Sequence, residues 1–149
     1  MGDLKLTSSD FLDGDEIPRY CGYKNENHEP LLIISGIPEG TESLALIMDD
    51  PDAMGAVGKV WVHWVAWNIA PTNTELENLD KAEGMTDFGE VGYGGPAPPD
   101  KRHTYVFKLY ALDCKELTCA DGKATKADVE KAMEGHIIEQ ATLTGTYAP

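Results

Sequence analysis

The stretch from residue 44 to 71 constrains the fold most, because it has the pattern of two buried strands joined by an acidic loop. The first run, LALIM at residues 44–48, is apolar on both faces, which is typical of a strand inside a sheet that is covered on each side. The second run, residues 59–70, is rich in valine and tryptophan and is also apolar on both faces. Three aspartates within residues 49–52 follow directly on the first run. We therefore expect carboxylates at one end of a buried sheet.

His63 lies inside the second run. A period of two places it on one face with Trp61, Val65, Trp67 and Ile69. A titratable ring on an apolar face, opposite an acidic loop, indicates a functional site. A lone buried histidine is more often a core residue with satisfied hydrogen bonds, so this stretch does not decide the matter by itself.

Composition excludes some classes of function. The 149 residues predict one domain, residues 1–149. The net charge of −14 argues against binding to nucleic acid or to an anionic membrane surface. No stretch approaches the roughly 18–20 apolar residues that a membrane span needs. We expect no cofactor.

The three cysteines, with no recognisable secretion signal, predict reduced thiols in a cytoplasmic protein. Cys114 and Cys119 are five residues apart, and no further cysteine or histidine lies near them in sequence. That spacing argues against a zinc site, and we predict no bound metal. A disulfide between the two cysteines across a short loop is the alternative.

Short strands follow one another quickly, with turn residues between them, which favours an antiparallel sandwich or barrel over alternating strands and helices. Residues 72–92 are polar and acidic, and they predict a long surface loop. Near the C-terminus, Thr125 and Asp128 fit a capping box, and helical spacing continues to Gln140. His136 falls near the apolar stripe of that helix, where we expect it to pack. Residues 141–147 alternate and predict a final strand.

A second informative segment spans residues 92–113. It begins with GYGGPAPP at 92–99, where glycine permits close backbone approach and proline stiffens the loop. Such a loop can present backbone N–H groups to a ligand with little loss of entropy. In the following strand, alternation puts four side chains on one face: His103, Tyr105, Phe107 and Leu109.

These unusual groups together favour a small anion pocket. Two imidazoles and a phenol can donate hydrogen bonds to phosphate-type oxygens, and Asp50 can fix the tautomer of an imidazole. A hydrolase that uses Asp50 and His63 is the alternative. It lacks a nucleophile motif, and neither central run contains serine or cysteine. A metal site of two histidines and an aspartate ranks third.

Motifs in a fixed order then resemble a known family. They are SLALI at 43–47, DPDA at 50–53, WVHW at 61–64, GGPAPP at 94–99, HTYVF at 103–107, LYALD at 109–113 and GTY at 145–147. Together they are similar to the phosphatidylethanolamine-binding protein family, in its short prokaryotic branch, which is often called Raf kinase inhibitor-like. The resemblance covers nearly the whole chain.

The resemblance implies a mainly β fold, an antiparallel β-sandwich of Greek-key type with a few short peripheral helices, one of them near the C-terminus. It implies a non-enzymatic pocket for a small anion such as phosphate or a phosphorylated head group, and a possible role in regulating a kinase or protease partner. It also implies a monomer or homodimer. Carried over by position, the pocket comprises Asp50, Trp61, His63, Gly95, Pro98, His103 and Tyr105.

The chain departs from the pattern of the family at three positions. Met54 and Glu29 stand where proline is common, and Ala97 stands where the branch often has cysteine. Met54 removes a possible proline constraint from the end of the acidic loop. Ala97 removes thiol chemistry from the glycine-proline loop.

Overall fold

The computed structural model describes residues 3–149, which form two antiparallel sheets. The small sheet pairs β1 (Lys5–Ser8) with β2 (Leu32–Ser35). The large sheet contains β3 (Ser43–Asp50), β4 (Trp61–Ile69), β5 (Ala82–Glu83), β6 (His103–Leu112) and β7 (Ile137–Tyr147), in the order β5-β4-β3-β6-β7. Because β6 returns to lie beside β3, strands β3 to β6 form a Greek key. The predicted mainly β, antiparallel fold is confirmed.

The helices are short and peripheral, as expected. They are α1 (Met54–Val57) and α2 (Lys126–Met133), and single 3-10 turns occur at Arg19–Cys21, Pro51–Ala53 and Leu76–Asn78. No helix within residues 3–149 is long and apolar enough to cross a membrane. All three cysteines are free thiols, so the alternative of a Cys114–Cys119 disulfide does not hold.

The central strand β3 is buried along its whole length, as the apolar run at residues 44–48 predicts. Successive side chains alternate between the two faces of the sheet. Leu44 and Leu46 pack into one apolar cluster, while Ala45 and Ile47 pack into another. The sheet therefore has a core on each side.

Different elements cover the two faces. The small sheet of β1 and β2 covers the face of Leu44, with Leu6 and Ile34 in the shared cluster. Helix α2 covers the opposite face through Val129 and Met133. The result is three layers, a two-stranded sheet, a five-stranded sheet and a helix.

Strand β4 carries a β-bulge at His63. Met48 of β3 lies opposite Trp64, whereas the next residue, Asp49, lies opposite Val62. His63 is thus an extra residue in β4, and a bulge of this kind re-aims side chains. The His63 ring packs against Tyr105, on the side of the large sheet that the small sheet covers.

The bulge makes one expectation from the alternation of β4 wrong. Val65 and Trp67 pack on the α2 side, whereas Ile69 packs on the side of the small sheet. A second register shift causes that switch near Asn68, whose φ is +55°. His63 therefore does not share a face with Val65 and Trp67.

The C-terminal helix is shorter than its spacing suggests. The predicted capping box is present, because Thr125 Oγ1 accepts from the Asp128 N–H at 3.3 Å and Asp128 Oδ2 accepts from the Thr125 N–H at 3.0 Å. The helix ends at Met133, and Gly135 turns the chain with φ +81°. The prediction of a helix to Gln140 is therefore wrong, whereas the predicted final strand at residues 141–147 is confirmed and begins earlier, at residue 137.

Residues 72–92 are more ordered than the predicted surface loop. They include a 3-10 turn, which buries Leu76, and strand β5. Asp87 Oδ2 accepts a hydrogen bond from the Val62 N–H at 2.7 Å, so the segment is fastened to the edge of β4. This places Phe88 beside the end of the large sheet.

Candidate functional site

A cavity of about 120 Å³ lies where the end of β3 meets the beginnings of β4 and β6. The strands bring their polar residues together because β3 is antiparallel to both neighbours. The cavity is lined by Asp50, Ala53, Ala56, Val57, Trp61, His63, Phe88, Ala97, Pro99, His103 and Tyr105. Five of the seven predicted site residues therefore line one space: Asp50, Trp61, His63, His103 and Tyr105.

The other two predicted residues, Gly95 and Pro98, do not line the cavity. Gly95 supports the loop that does, because a Cβ at this position would lie 1.9 Å from the carbonyl oxygen of Cys21. Its N–H donates to Asn27 Oδ1 at 2.7 Å. Pro98 is buried between Ala97 and Pro99, which do face the cavity.

His63 is held in one tautomer. Its Nδ1 lies 2.7 Å from the carbonyl oxygen of Gly94, and since a carbonyl only accepts, Nδ1 carries the proton. Burial lowers the pKa of His63 below the ordinary 6.5, despite the opposing effect of that hydrogen bond. The ring is consequently neutral at pH 7, with a lone pair on Nε2. Among residues 3–149 no group donates to that Nε2.

His103 is held in the opposite charge state. Its Nδ1 lies 2.6 Å from Asp50 Oδ2, and its Nε2 lies 2.7 Å from Asp100 Oδ1. Burial by itself would lower the pKa of His103, but hydrogen bonds to the two carboxylates outweigh it and raise the pKa. Both ring nitrogens donate, so the ring is an imidazolium with no free N–H for a ligand.

Two further donors belong to residues that line the cavity and make no hydrogen bond within the described part of the chain. They are the Tyr105 hydroxyl and the Trp61 indole N–H, and both atoms are buried. Burial, followed by the nearby Asp50 carboxylate, raises the pKa of Tyr105, which keeps the phenol protonated. An unsatisfied buried donor costs about 1–3 kcal/mol, and a water or ligand that accepts a hydrogen bond would offset that cost.

Phe88 forms a wall of the cavity that sequence reasoning missed. Its ring stacks on Tyr23 at a centroid distance of 4.0 Å and meets the edges of Trp61 and His63 at 5.6 and 5.4 Å. Phe88 is the sole aromatic residue within the polar segment 72–92. An isolated aromatic residue in a polar segment was the sequence signal that could have indicated its role in the pocket.

Comparison with known proteins identifies the family. The model of the family described as "Phosphatidylethanolamine-binding protein" matches residues 7–148, nearly the full chain. The chain belongs to the phosphatidylethanolamine-binding protein family. A UPF0098 protein of Methanothermobacter thermautotrophicus is 42% identical and aligns over 97% of this chain and 98% of its own length. A UPF0098 protein of Chlamydia muridarum is 38% identical, again over 97% and 98%.

Solved structures of phosphatidylethanolamine-binding protein homologues show the same fold. The homologue from Chlamydia trachomatis has a TM-score of 0.89 at 36% identity and covers 99% of this chain and 98% of its own. YbcL of Escherichia coli has a TM-score of 0.87 at 32% identity and covers 98% of each chain. A carboxypeptidase Y inhibitor, solved in complex with its cognate proteinase, shares the fold alone, with a TM-score of 0.62 at 16% identity over 97% and 82% of the chains.

In this phosphatidylethanolamine-binding protein homologue, the Asp50–His63 pair on which the hydrolase alternative was based does not form. Asp50 pairs with His103, whereas His63 is oriented by a backbone carbonyl. No serine, threonine or cysteine lines the cavity within the described part of the chain. The third alternative, a metal held by two histidines and Asp50, lacks a ligand because both nitrogens of His103 are bound to carboxylates.

Proposed function

We propose that this protein is a non-enzymatic binding protein whose pocket takes phosphate or a phosphorylated head group. One observation carries the proposal. Three polar groups that make no hydrogen bond within residues 3–149 belong to side chains lining one small cavity: the Tyr105 hydroxyl, the Trp61 indole N–H and the His63 Nε2 lone pair. They are two donors and one acceptor. A singly protonated phosphate monoester matches them, because its oxygens accept and its P–OH donates.

Local charge explains why hydrogen bonding has to provide the recognition. The imidazolium of His103 is flanked by the carboxylates of Asp50 and Asp100, and His63 is neutral at pH 7. The pocket therefore has no excess positive charge to attract a dianion. An anion that keeps one proton can donate a hydrogen bond to the Nε2 lone pair of His63. A fully deprotonated anion has no proton to donate, so its oxygen would be repelled by that lone pair.

The affinity of the pocket for phosphate should therefore fall as pH rises. A phosphate monoester loses its last proton with a pKa of about 6, and His63 accepts a proton only below 6.5 because its pKa is lowered. Both changes weaken binding at higher pH, by up to about tenfold per pH unit. Sulfate, which has the same shape but no proton at neutral pH, should bind more weakly than phosphate.

Calorimetric titration with phosphate and phosphoethanolamine between pH 5 and 8 tests the proposal. His63→Ala should weaken binding by about 1.5–3 kcal/mol at pH 6. The matched control is His136→Ala, which removes an exposed histidine that does not line the cavity. A flat pH profile, or equal affinity for phosphate and sulfate, would contradict the proposal. Turnover of a phosphoester that is lost in His63→Ala would instead establish the hydrolase alternative.

We also propose that the rim of the pocket regulates a protein partner in the cytoplasm, a kinase or a protease. Met54 and Val57 of α1 are 54% and 51% exposed, and Val57 lines the cavity, so bound ligand and exposed apolar surface are adjacent. The carboxypeptidase Y inhibitor shows that one protein with this fold binds a proteinase. Affinity capture from native lysate, with and without phosphate, tests the idea by comparing the wild type with Met54→Asp. Recovery of a kinase or protease should depend both on the presence of phosphate and on the intact Met54 side chain.

A further inference from the structure

Three side chains of different ligand type meet at the end of the large sheet away from the pocket. They are the carboxylate of Asp113, the thiol of Cys114 and the imidazole of His136, and their ligand atoms all lie within 4.8 Å of one another. Asp113 follows the last residue of β6, whereas the pocket lies at His103, the first residue of that ten-residue strand. At about 3.3 Å per residue, the two places are roughly 30 Å apart.

Backbone contacts fix the position of this cluster. The Asp113 N–H donates to the carbonyl oxygen of His136 at 2.9 Å, just before β7 pairs with β6. The carbonyl of Cys114 accepts from Ser43 Oγ at 2.6 Å. The two chain segments that supply the three ligands are therefore joined to each other and to the beginning of β3.

The side-chain geometry needs little adjustment to surround an ion. His136 Nδ1 already lies 2.8 Å from Asp113 Oδ1. Ligand atoms at 2.0–2.3 Å from a tetrahedral ion are roughly 3.3–3.8 Å apart, so the widest gap has to close by about 1 Å. The side chains of His136 and Asp113 are 46% and 53% exposed, which leaves them free to make that movement.

We propose that Asp113, Cys114 and His136 form a binding site for zinc or a similar transition-metal ion, with solvent in the fourth position. One sulfur, one nitrogen and one oxygen ligand suit a borderline-soft ion, whereas magnesium and calcium prefer oxygen ligands alone. The strongly acidic chain also favours the approach of a cation. Spacing in the sequence did not reveal this site, because His136 lies 22 residues beyond Cys114.

Titration of the reduced protein with Co²⁺ tests the proposal. Cobalt bound to a thiolate gives a near-ultraviolet charge-transfer absorption, and tetrahedral coordination gives intense visible bands. Wild type should show both, Cys114→Ser should lose the charge-transfer absorption, and His136→Ala should bind Co²⁺ at least tenfold more weakly. Zn²⁺ should displace the cobalt.

Cys119→Ser is the matched control, because Cys119 Sγ is directed at the carbonyl oxygen of Asp128, 3.9 Å away, and is not in the cluster. It should retain the wild-type spectrum. Far-ultraviolet circular dichroism of each variant verifies that the fold is intact. The proposal is overturned if wild type shows no charge-transfer absorption, if the absorption depends on Cys119, or if a folded His136→Ala binds cobalt as tightly as wild type.

Discussion

Asp49 and Asp50 are adjacent at the end of β3, and both are buried, yet they lie on opposite sides of the sheet. The Asp49 carboxylate accepts from Lys126 Nζ at 2.8 Å and from Lys108 Nζ at 3.4 Å. The Asp50 carboxylate accepts from the ring of His103 at 2.6 Å. Two neighbouring residues of one type thus have partners of very different kinds.

The difference in partners separates a structural carboxylate from a pocket carboxylate. Lys126 belongs to α2 and Lys108 to β6, so Asp49 ties the helix to the sheet through flexible side chains that reach solvent. Asp50 lines the cavity and holds a buried ring in its charged form. Burial of a carboxylate therefore does not by itself identify a site. The burial of its partner distinguishes the two cases, because the His103 ring is fully buried whereas the two lysine side chains reach solvent.

The largest expected effect is on stability, where the two aspartates should differ. Asp50→Ala should cost about 3–5 kcal/mol, because it leaves the His103 imidazolium buried without its inner carboxylate. Asp49→Ala should cost only about 1–2 kcal/mol, because the Lys108 and Lys126 side chains, 27% and 21% exposed, can turn toward water. Urea unfolding at pH 6 measures both. Equal losses, or a larger loss at Asp49, would contradict this division of roles.

The alternation of strands was predictable from sequence, and it placed four of the eleven residues that line the cavity, namely Trp61, His63, His103 and Tyr105. The apolar run at residues 44–48 predicted a strand covered on both sides, and the pattern from His103 to Leu109 predicted the buried face of β6 correctly. Both patterns are local, because a side chain's face follows from its position in its own strand. The Thr125 capping box is local in the same sense.

What could not be predicted depends on contacts between distant segments. The bulge at His63 arises from the register between β3 and β4, which a single run does not encode. Sequence reasoning offered Asp50 as a partner for His63, but the register brings Asp50 to His103 instead. Phe88 reaches the pocket through contacts between segments distant in sequence, among them the hydrogen bond from the Val62 N–H to Asp87 Oδ2.

The dependence of stability on pH gives a second, smaller difference between the two aspartates. Because the folded-state pKa of His103 is raised, this residue stabilises the folded protein fully below pH 6.5. That stabilisation is lost as pH rises through the raised pKa. The lowered pKa of His63 acts in the opposite direction. Its stabilisation of the folded protein is present above pH 6.5 and is lost as pH falls through the lowered pKa. A tenfold difference in proton affinity between the folded and unfolded chain corresponds to about 1.4 kcal/mol of stability.

The variants separate these two contributions. Asp50→Ala should flatten the loss of stability above pH 6.5, because it removes the main carboxylate partner of His103, whereas Asp49→Ala should retain that loss. His63→Gln should reduce the loss of stability that accompanies a fall in pH below 6.5. Urea unfolding from pH 5 to 9 measures the profiles, and NMR titration of the ring protons assigns each pKa. The explanation is wrong if His103 titrates below His63.

The smallest predicted effect is confined to the Asp49 side of the sheet. Thr125→Ala removes the side chain that caps α2, the helix whose Lys126 bonds to Asp49, and should cost about 1 kcal/mol. Thr118→Ala is the matched control, an exposed threonine whose side chain makes no hydrogen bond within residues 3–149, and it should change stability by less than about 0.5 kcal/mol. Because the cap lies across the sheet from the cavity, Thr125→Ala should leave phosphate affinity within about twofold of wild type, as ΔΔG values of separated sites add. A large loss of phosphate affinity in Thr125→Ala would mean that the two faces are coupled, and that Asp49 influences the pocket through the strand it shares with Asp50.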